Sequence, residues 1–271
     1  MSLSLNPIRG LLLDWAGTTV DYGSRAPARV FVEVFARSGV PVTEAEARGP
    51  MGMAKHEHIA AVMRLPRVTE AWKLQYGTEP GDTEVQRLYE EFLPLQLAVL
   101  GEYSTVIPGV PEAIAWCRGR GLKIGSSTGY TRALMAAVLP VAAAGGYAPD
   151  VVVCSDEVAA GRPAPWLNFR VAEKLGLYPM RHLLVVDDTP LGIAAGKAAG
   201  CQTVAISRSG NSLGLTLAET EALPPAKLAA RLAAIDRDFR SAGADHVLHS
   251  VADLPALLAD RSSGLIVEVT A

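Results

Sequence analysis

Six short apolar runs constrain the fold of this chain more than any other feature of its sequence. Each is four or five residues long, is bounded by Gly, Pro or Asp, and is followed by a longer segment with helical patterning. Continuous runs such as "LLVVDD" at 183–188 are typical of parallel strands buried on both faces, with helices as the crossover connections. The predicted strands are 10–14, 122–126, 151–154, 183–186, 203–206 and 245–248. The sequence therefore predicts an α/β fold with a doubly wound, mainly parallel sheet.

Between residue 22 and about residue 101 the strand pattern stops and helical patterns take over. Five helices are predicted there, at 26–37, 44–47, 56–63, 70–76 and 83–100. Thr43 and Glu46 have the spacing of a capping box, and Pro94 is expected to kink or split the last helix. We therefore expect a catalytic core formed by 1–21 and 102–271, with a helical cap domain, 22–101, inserted after the first strand. Gly23 and the segment 101–105 are the expected hinges between them.

Charge and cysteine content narrow the classes of partner. The net charge is −3, and no block of like charge suits a nucleic-acid backbone or an anionic membrane. No apolar run approaches the length of a membrane span, and the first ten residues lack the basic and apolar regions of a signal peptide. The three cysteines, Cys117, Cys154 and Cys201, are far apart and odd in number, which indicates a reducing, cytoplasmic location. We expect neither a nucleic-acid nor a membrane partner.

Asp14 is the first candidate for chemistry. It ends the first predicted strand, directly before a tight turn that contains Gly17 and Thr18. Ligands of doubly wound sheets bind beyond the carboxyl ends of the strands, so a carboxylate here can attack phosphorus while N–H groups of the loop stabilise the charge. A single aspartate at a strand end more often only caps a turn. The other strand ends decide between these two interpretations.

Further strand ends carry groups suited to a phosphoryl group and a metal ion. They are Ser126, Ser127 and Thr128 after the second strand, Arg162 in "GRPAPW", and the adjacent acids Asp187 and Asp188. The hydroxyls can hold phosphoryl oxygens, and the guanidinium is a permanent cation that can neutralise developing negative charge. The acid pair is of the kind that holds Mg²⁺ through oxygen ligands and waters. Together these strand ends favour a catalytic role for Asp14.

In this order, these residues resemble those of the haloacid dehalogenase superfamily of aspartate-nucleophile phosphotransferases. The resemblance extends to the phosphonatases, a family that hydrolyses the P–C bond of phosphonoacetaldehyde, through "DWAGTTVDYGSRAP", "PMGMAKHEH", "KIGSSTGYTR", "GRPAPW" and "GNSLGL". It implies Mg²⁺ as cofactor and a homodimer built through the cap domain. The implied metal ligands are Asp14, the backbone carbonyl of Ala16, Asp187 and Asp188. The implied phosphate and substrate contacts are Gly17, Thr18, Met51, Ser127, Thr128, Gly129 and Arg162.

Ala16 and Lys55 separate two possible chemistries of this superfamily. Its phosphatases carry an aspartate two residues after the nucleophile, as general acid for an alkoxide, and Ala16 cannot donate a proton. A carbanion leaving group instead needs an electron sink, which the protonated imine of an amine and the substrate aldehyde provides. The resemblance assigns that amine to Lys55, whose apolar flanks are expected to lower its pKa. His58, three residues on, is expected to share its helix face and shuttle protons.

Two positions depart from the family pattern. Many superfamily members have a second acid where this chain has Gly192, and phosphonatases often have cysteine where Ser24 stands. We keep the metal site on the acid pair and favour Asp188 as the direct ligand. Two alternatives stay open. One is an ordinary phosphatase or phosphomutase, against which Ala16 argues, and the other is a non-catalytic phosphometabolite-binding protein, which would need neither a nucleophile nor an imine-forming amine.

Overall fold

The computed structural model describes residues 8–262 and contains one sheet of six strands. The strands are β1 Gly10–Leu13, β2 Lys123–Ser127, β3 Val151–Val153, β4 Leu183–Asp187, β5 Gln202–Ile206 and β6 His246–Leu248. Their order is β3-β2-β1-β4-β5-β6, and every pairing is parallel. The doubly wound α/β prediction is therefore confirmed, and each predicted strand bound lies within one residue of the observed one.

Helices cover both faces of the sheet, which explains why its strands are apolar at consecutive positions. The helices of the core are α6 Val110–Arg118, α7 Arg132–Ala144, α8 Trp166–Leu175, α9 Pro190–Ala198, α10 Leu217–Ala222, α11 Pro225–Ser241 and α12 Leu254–Ser262. Leu11 and Leu13 of β1 pack in a cluster with residues of α6 and α7. Leu12, which points to the opposite face, packs with residues of α8. Alternate side chains of one strand thus enter two hydrophobic layers.

Five helices between β1 and α6 form the cap. They are α1 Arg25–Arg37, α2 Glu44–Arg48, α3 Lys55–Met63, α4 Pro66–Tyr76 and α5 Asp82–Tyr103. Their apolar faces share a separate hydrophobic cluster that includes Phe31, Phe35 and Phe92. A helical insert therefore follows the first strand, as predicted. The proposed domain bounds at 21/22 and 101/102 stay predictions, and the predicted outer ends of the core, 1–7 and 263–271, lie outside the described residues.

Three details of the cap differ from the sequence-based expectation. Helix α4 begins at Pro66, four residues before its predicted start, because proline suits the first position of a helix. Pro94 does not split α5, which continues on both sides of it. Gly101 also lies within α5, so of the segment predicted as the second hinge only Ser104 and Thr105 follow the helix. No described helix has both the length and the apolar character needed to cross a bilayer.

Local hydrogen bonds fix where two cap helices begin. Glu46 N donates to Thr43 Oγ1 at 3.2 Å while Thr43 N donates to Glu46 Oε2 at 2.8 Å, so the predicted capping box is present at α2. Asp21 accepts hydrogen bonds from the first backbone N–H groups of α1, Arg25 N and Ala26 N, each at 2.9 Å. Both bonds satisfy N–H groups that have no partner inside the helix. The chain therefore enters the cap through a well-bonded turn.

Candidate active site

The strand order reverses at β1, so the carboxyl ends of β1 and β4 lie side by side at a topological switch point. Asp14 directly follows β1, and Asp187 is the last residue of β4. A small cleft lies at these strand ends, and its lining residues come from both the core and the cap. The lining includes Asp14, Ala16, Thr128 and Arg162 from the core and Met51 and Lys55 from the cap.

Three buried carboxyl groups form a cluster at this switch point. Asp14, Asp187 and Asp188 each offer an oxygen, and these oxygens lie within 4.8 Å of one another. Burial and the charge of Asp14 raise the pKa of Asp187 to about 6, while burial with the charges of Asp14 and Asp187 raises the pKa of Asp188 well above its usual range. A hard divalent cation would offset this repulsion and takes oxygen ligands. The residues present therefore fit a metal ion.

Hydrogen bonds orient both acids of the predicted metal pair. Asp188 accepts from Thr18 Oγ1 at 3.1 Å and from Asn211 N at 2.7 Å, one bond on each oxygen. Asp187 Oδ1 accepts from Thr189 N at 2.9 Å and from its hydroxyl at 2.7 Å. Thr18 is predicted to contact phosphate, which stays a prediction, and in this structure its hydroxyl donates to the Asp188 carboxylate. Its observed part is to orient that side chain.

Two glycines let the carboxylates approach the backbone. A Cβ on Gly17, whose φ is +88°, would lie 2.1 Å from Asp188 Oδ2, and one on Gly192 would lie 1.9 Å from Asp187 Cγ. The departure at position 192 therefore has a steric reason, since an acid there would collide with Asp187. Gly17 N donates to Val20 O at 2.8 Å, so the amide predicted to contact phosphate is already used inside the turn.

Arg162 connects the proposed nucleophile with the second strand end. Its Nη1 lies 2.6 Å from Asp14 Oδ1 and 3.2 Å from Asp187 Oδ2, and its Nη2 donates to Ser127 Oγ at 2.9 Å. Burial alone would lower the pKa of Arg162, but the negative charges of Asp14 and Asp187 outweigh it and raise that pKa above its usual value. The guanidinium is therefore a permanent cation beside the cleft.

Of the other residues at the end of β2, some line the cleft and one bonds within the sheet. Thr128 and Gly129 line the cleft, as expected of phosphate contacts. A Cβ on Gly129 would lie 2.5 Å from Met53 O of the cap, so glycine permits a close approach of the two parts. Ser126 instead donates to Leu13 O at 2.7 Å, because its side chain faces β1. The expectation that Ser126 holds a phosphoryl oxygen is therefore wrong.

Lys55 is the first residue of α3, and the cap carries it into the cleft. It is only 4 % exposed, and its Nζ lies 5.6 Å from the ring centroid of Phe31 and 5.0 Å from that of Tyr130. Burial lowers the pKa of Lys55 to about 8, against an opposing effect of Asp14, and the charge of Arg162 lowers it as well. Near neutral pH, far more of this amine is therefore neutral, and hence nucleophilic, than of an ordinary lysine.

His58 is fully buried one helical turn after Lys55. Its Nε2 lies 2.8 Å from Ala47 O, and because a carbonyl oxygen only accepts, Nε2 carries the proton. Nδ1 is then a proton acceptor, and it is buried with no hydrogen-bond partner among the described residues. Burial and the neighbouring Lys55 lower the pKa of His58 well below its usual value. The ring is therefore neutral, although it does not itself line the cleft.

Sequence reasoning missed Tyr130 and Asn211. Tyr130 lines the cleft, and its hydroxyl is buried without a hydrogen-bond partner in the described part of the chain. Burial, with the negative charges of the site, raises its pKa well above the usual value, so it is a neutral hydroxyl. Tyr130 lies two residues beyond Thr128 in "KIGSSTGYTR", so its place at a strand end was an available signal. Asn211 lies in the quoted block "GNSLGL", but its contact with Asp188, 23 residues away, depends on the fold and could not be predicted from that block.

Comparison with known proteins gives consistent matches over most of the chain. Residues 8–200 match the family of haloacid dehalogenase-like hydrolases. Phosphonoacetaldehyde hydrolase from Paraburkholderia xenovorans is 46 % identical over 258 residues, which cover 95 % of this chain and 97 % of that protein. The enzyme of the same name from Bacillus cereus is 41 % identical and covers 93 % and 95 %. A crystal structure of a phosphonoacetaldehyde hydrolase-like protein from Oleispira antarctica is 37 % identical, with a TM-score of 0.93 and coverage of 97 % and 95 %.

Proposed function

Because this chain belongs to the haloacid dehalogenase-like hydrolases and, within them, to the phosphonoacetaldehyde hydrolases, we propose that it hydrolyses the P–C bond of phosphonoacetaldehyde to acetaldehyde and phosphate. One observation carries the mechanism. Lys55 from the cap and Asp14 from the core line a single cleft whose other lining residues include Ala16. The amine of the cap and the carboxylate of the core can therefore act on the two ends of one small substrate. Position 16 holds alanine, so the general acid of a phosphatase is absent there.

The first step is imine formation at Lys55. The neutral amine attacks the aldehyde carbon, and loss of water gives the imine, which is protonated on nitrogen. The lowered pKa of Lys55 supplies the neutral amine. His58 is proposed to relay a proton through its unprotonated Nδ1, and it holds that proton only transiently because burial and Lys55 lower its pKa. Met51 lines the same cleft and limits the space around the aldehyde carbon.

The second step is attack of Asp14 on phosphorus. A carboxylate oxygen forms the O–P bond, the P–C bond breaks, and its electron pair passes through carbon to the iminium nitrogen, giving a neutral enamine and an aspartyl phosphate. Arg162, together with the Thr128 hydroxyl and the Gly129 backbone, would hold the phosphoryl oxygens as negative charge grows. Closure of the cap would exclude water at this stage.

The last steps regenerate both nucleophiles. Water attacks the aspartyl phosphate and releases phosphate from Asp14. The enamine takes a proton on carbon to become an iminium, and a second water releases acetaldehyde and restores the Lys55 amine. One water is formed with the imine and two are consumed, so the sum is one substrate and one water giving acetaldehyde and phosphate.

We further propose Mg²⁺ as the cation of the carboxylate cluster, held by Asp14, the Ala16 carbonyl, Asp188 and, directly or through water, Asp187. The support is the all-oxygen donor set and its surplus negative charge. When bound, the cation neutralises charge on the phosphonate. Thr18 and Asn211 keep Asp188 oriented for that contact.

A homodimer built through the cap and a cytoplasmic location are also proposed. The exposed Leu97 on α5 and the three free, buried cysteines are compatible with them. Light scattering after size exclusion tests the dimer: a mass of twice 28.6 kDa is expected, and a monomer contradicts it.

The rival function with the same fold is an ordinary phosphatase. The two proposals differ in products, so the test is to incubate the enzyme with phosphonoacetaldehyde and to measure acetaldehyde and phosphate, which should appear in equal amounts. An alkyl phosphate monoester such as glycerol phosphate should react far more slowly, because its alkoxide leaving group needs a proton, general-acid catalysis contributes roughly 10²–10⁴-fold and Ala16 cannot supply it. Faster turnover of the monoester than of the phosphonate would favour the phosphatase.

A further inference from the structure

The loop that follows β5, residues 207–215, contacts the acid cluster, the entry to the cap and the cap itself. The backbone N–H of Asn211 donates to Asp188 Oδ2 at 2.7 Å. Its side chain bonds the cap residue Arg48 twice: Arg48 Nη1 donates to Asn211 Oδ1 at 2.9 Å, and Asn211 Nδ2 donates to Arg48 O at 3.2 Å. One residue of the core therefore holds both a carboxylate of the site and a residue of α2.

Arg48 is fixed by further contacts with the predicted hinge and with the core. Its Nη1 donates to Gly23 O at 2.9 Å and its Nη2 to Gly214 O at 3.2 Å, and its side chain is only 12 % exposed. A Cβ on Gly214 would lie 3.0 Å from Arg48 Cζ and Nε, so the guanidinium rests directly on the backbone of the loop. A planar group with five donors can make these bonds together, whereas an ammonium group cannot.

The hydrogen bonds of Arg48 also restrain Lys55, because the two residues are close in the chain. Arg48 is the last residue of α2 and Lys55 the first of α3, so only six residues separate the anchor from the proposed Schiff-base amine. Within that segment Gly52 packs so closely on the core that a Cβ would lie 2.6 Å from Thr189 Oγ1. The segment from Arg48 to Lys55 is therefore held against the core at its start and near its middle.

We propose that Arg48 and Asn211 are positioning residues that form a clasp between cap and core. The clasp holds the cap in the position that sets Lys55 opposite Asp14, and through the backbone of Asn211 it ties that position to the orientation of Asp188. The inference rests on the proposed function, since it assigns the clasp to a reaction that needs both nucleophiles at once. Its role is to present phosphorus to Asp14 while the aldehyde end is bound to Lys55.

The test uses Asn211→Ala, Arg48→Ala, the double variant and Arg48→Lys in the full chain. Asn211→Ala removes both side-chain bonds to Arg48 but keeps the backbone donor to Asp188. Arg48→Lys keeps the charge and loses the geometry, so it should behave like Arg48→Ala. Arg37→Ala is the matched control, because its ion pair with Glu33 lies within the cap helix α1. Thermal unfolding of each variant identifies any that fail to fold.

The decisive readout is the ratio of Lys55 trapped by borohydride with phosphonoacetaldehyde to phosphate released in turnover. In each clasp variant phosphate release should fall roughly tenfold or more, as for loss of a charge-assisted hydrogen bond. Trapping should persist, so the ratio rises. The double variant should be no more than about threefold worse than the worse single one, because the residues act as one unit.

Three outcomes overturn the clasp. The first is a proportional fall of trapping and phosphate release, which is a folding defect alone. The second is multiplication of the two single effects in the double variant, and the third is turnover of Arg48→Lys at the wild-type rate. Failure of the proposed function is distinguishable from all three, because the wild-type enzyme would then give neither a Lys55 adduct nor acetaldehyde.

Discussion

Arg162 donates a 2.6 Å hydrogen bond to Asp14, so the proposed phosphate-binding cation and the proposed nucleophile are paired in the substrate-free site. Both side chains are buried, and the same guanidinium reaches Ser127. A buried charge that loses its partner costs about 3–5 kcal/mol, so neither side chain can leave the other without a replacement partner. The substrate phosphonate would share the cation with Asp14.

Arg162→Lys should lower kcat/KM by roughly a hundredfold, since an ammonium group cannot reach Asp14, Asp187 and Ser127 together. Steady-state phosphate release measures the loss. The matched control is Arg170→Lys, an exposed residue of α8 that pairs with Glu173. Turnover of Arg162→Lys within a fewfold of the control would show that charge alone suffices.

The rate of imine formation should follow the ionisation of Lys55. Its pKa is lowered to about 8, and only the neutral amine attacks, so the rate of borohydride inactivation should rise with pH, with a midpoint near pH 8. Asp14 raises this pKa, so Asp14→Asn should move the midpoint to lower pH while phosphate release is lost. Mass spectrometry of Lys55 at each pH measures the profile. A midpoint near the ordinary value for lysine would contradict the account.

The strands could be predicted because their signal is local. Apolar runs such as 183–186 cannot lie at a surface, and Gly, Pro or Asp at their ends limits their length. The start of α4 was missed because Pro66 suits both a loop and the first position of a helix. The strand order depends on long-range pairing, which no short stretch of sequence encodes.

In the site, too, residues with a local sequence signal could be predicted and long-range contacts could not. Residues such as Asp14 and Arg162 were found because each lies in a recognisable block just past a strand or in a Gly/Pro loop. The contacts of Thr18 and Asn211 with Asp188 join segments 170 and 23 residues apart, and only the fold brings them together. Ser126 was misassigned because consecutive residues of a strand face opposite sides, and its neighbour Ser127 faces Arg162.

Removal of metal should abolish phosphate release. The three clustered carboxylates repel one another, and without a cation the phosphonate would meet that negative charge as well. Treatment with a chelator followed by desalting should therefore stop turnover, and added Mg²⁺ should restore it. Trapping at Lys55 should fall far less than turnover, because Lys55 is not a ligand. Undiminished turnover after exhaustive removal of metal would exclude the proposed cofactor.

Two glycine substitutions test the packing of the site. Gly192→Ala would place Cβ 1.9 Å from Asp187 Cγ, and overpacking of this kind costs about 1–3 kcal/mol, so both unfolding temperature and turnover should fall. Gly101→Ala is the control, since no atom lies within 4 Å of the added carbon and the residue is in α5. It should raise stability by about 0.5–1 kcal/mol. Equal unfolding temperatures for the two variants would refute the steric assignment.

Trapping of the substrate on Lys55 tests the central claim most directly. The enzyme is incubated with phosphonoacetaldehyde and borohydride, digested, and the modified peptide sequenced by mass spectrometry, in parallel with Lys55→Arg, which keeps the charge but cannot form the imine. We predict inactivation of the wild-type enzyme with a stable alkyl adduct on Lys55, and neither adduct nor P–C cleavage in Lys55→Arg. An adduct on another lysine, or phosphate release from phosphonoacetaldehyde by Lys55→Arg at the wild-type rate, would contradict the account.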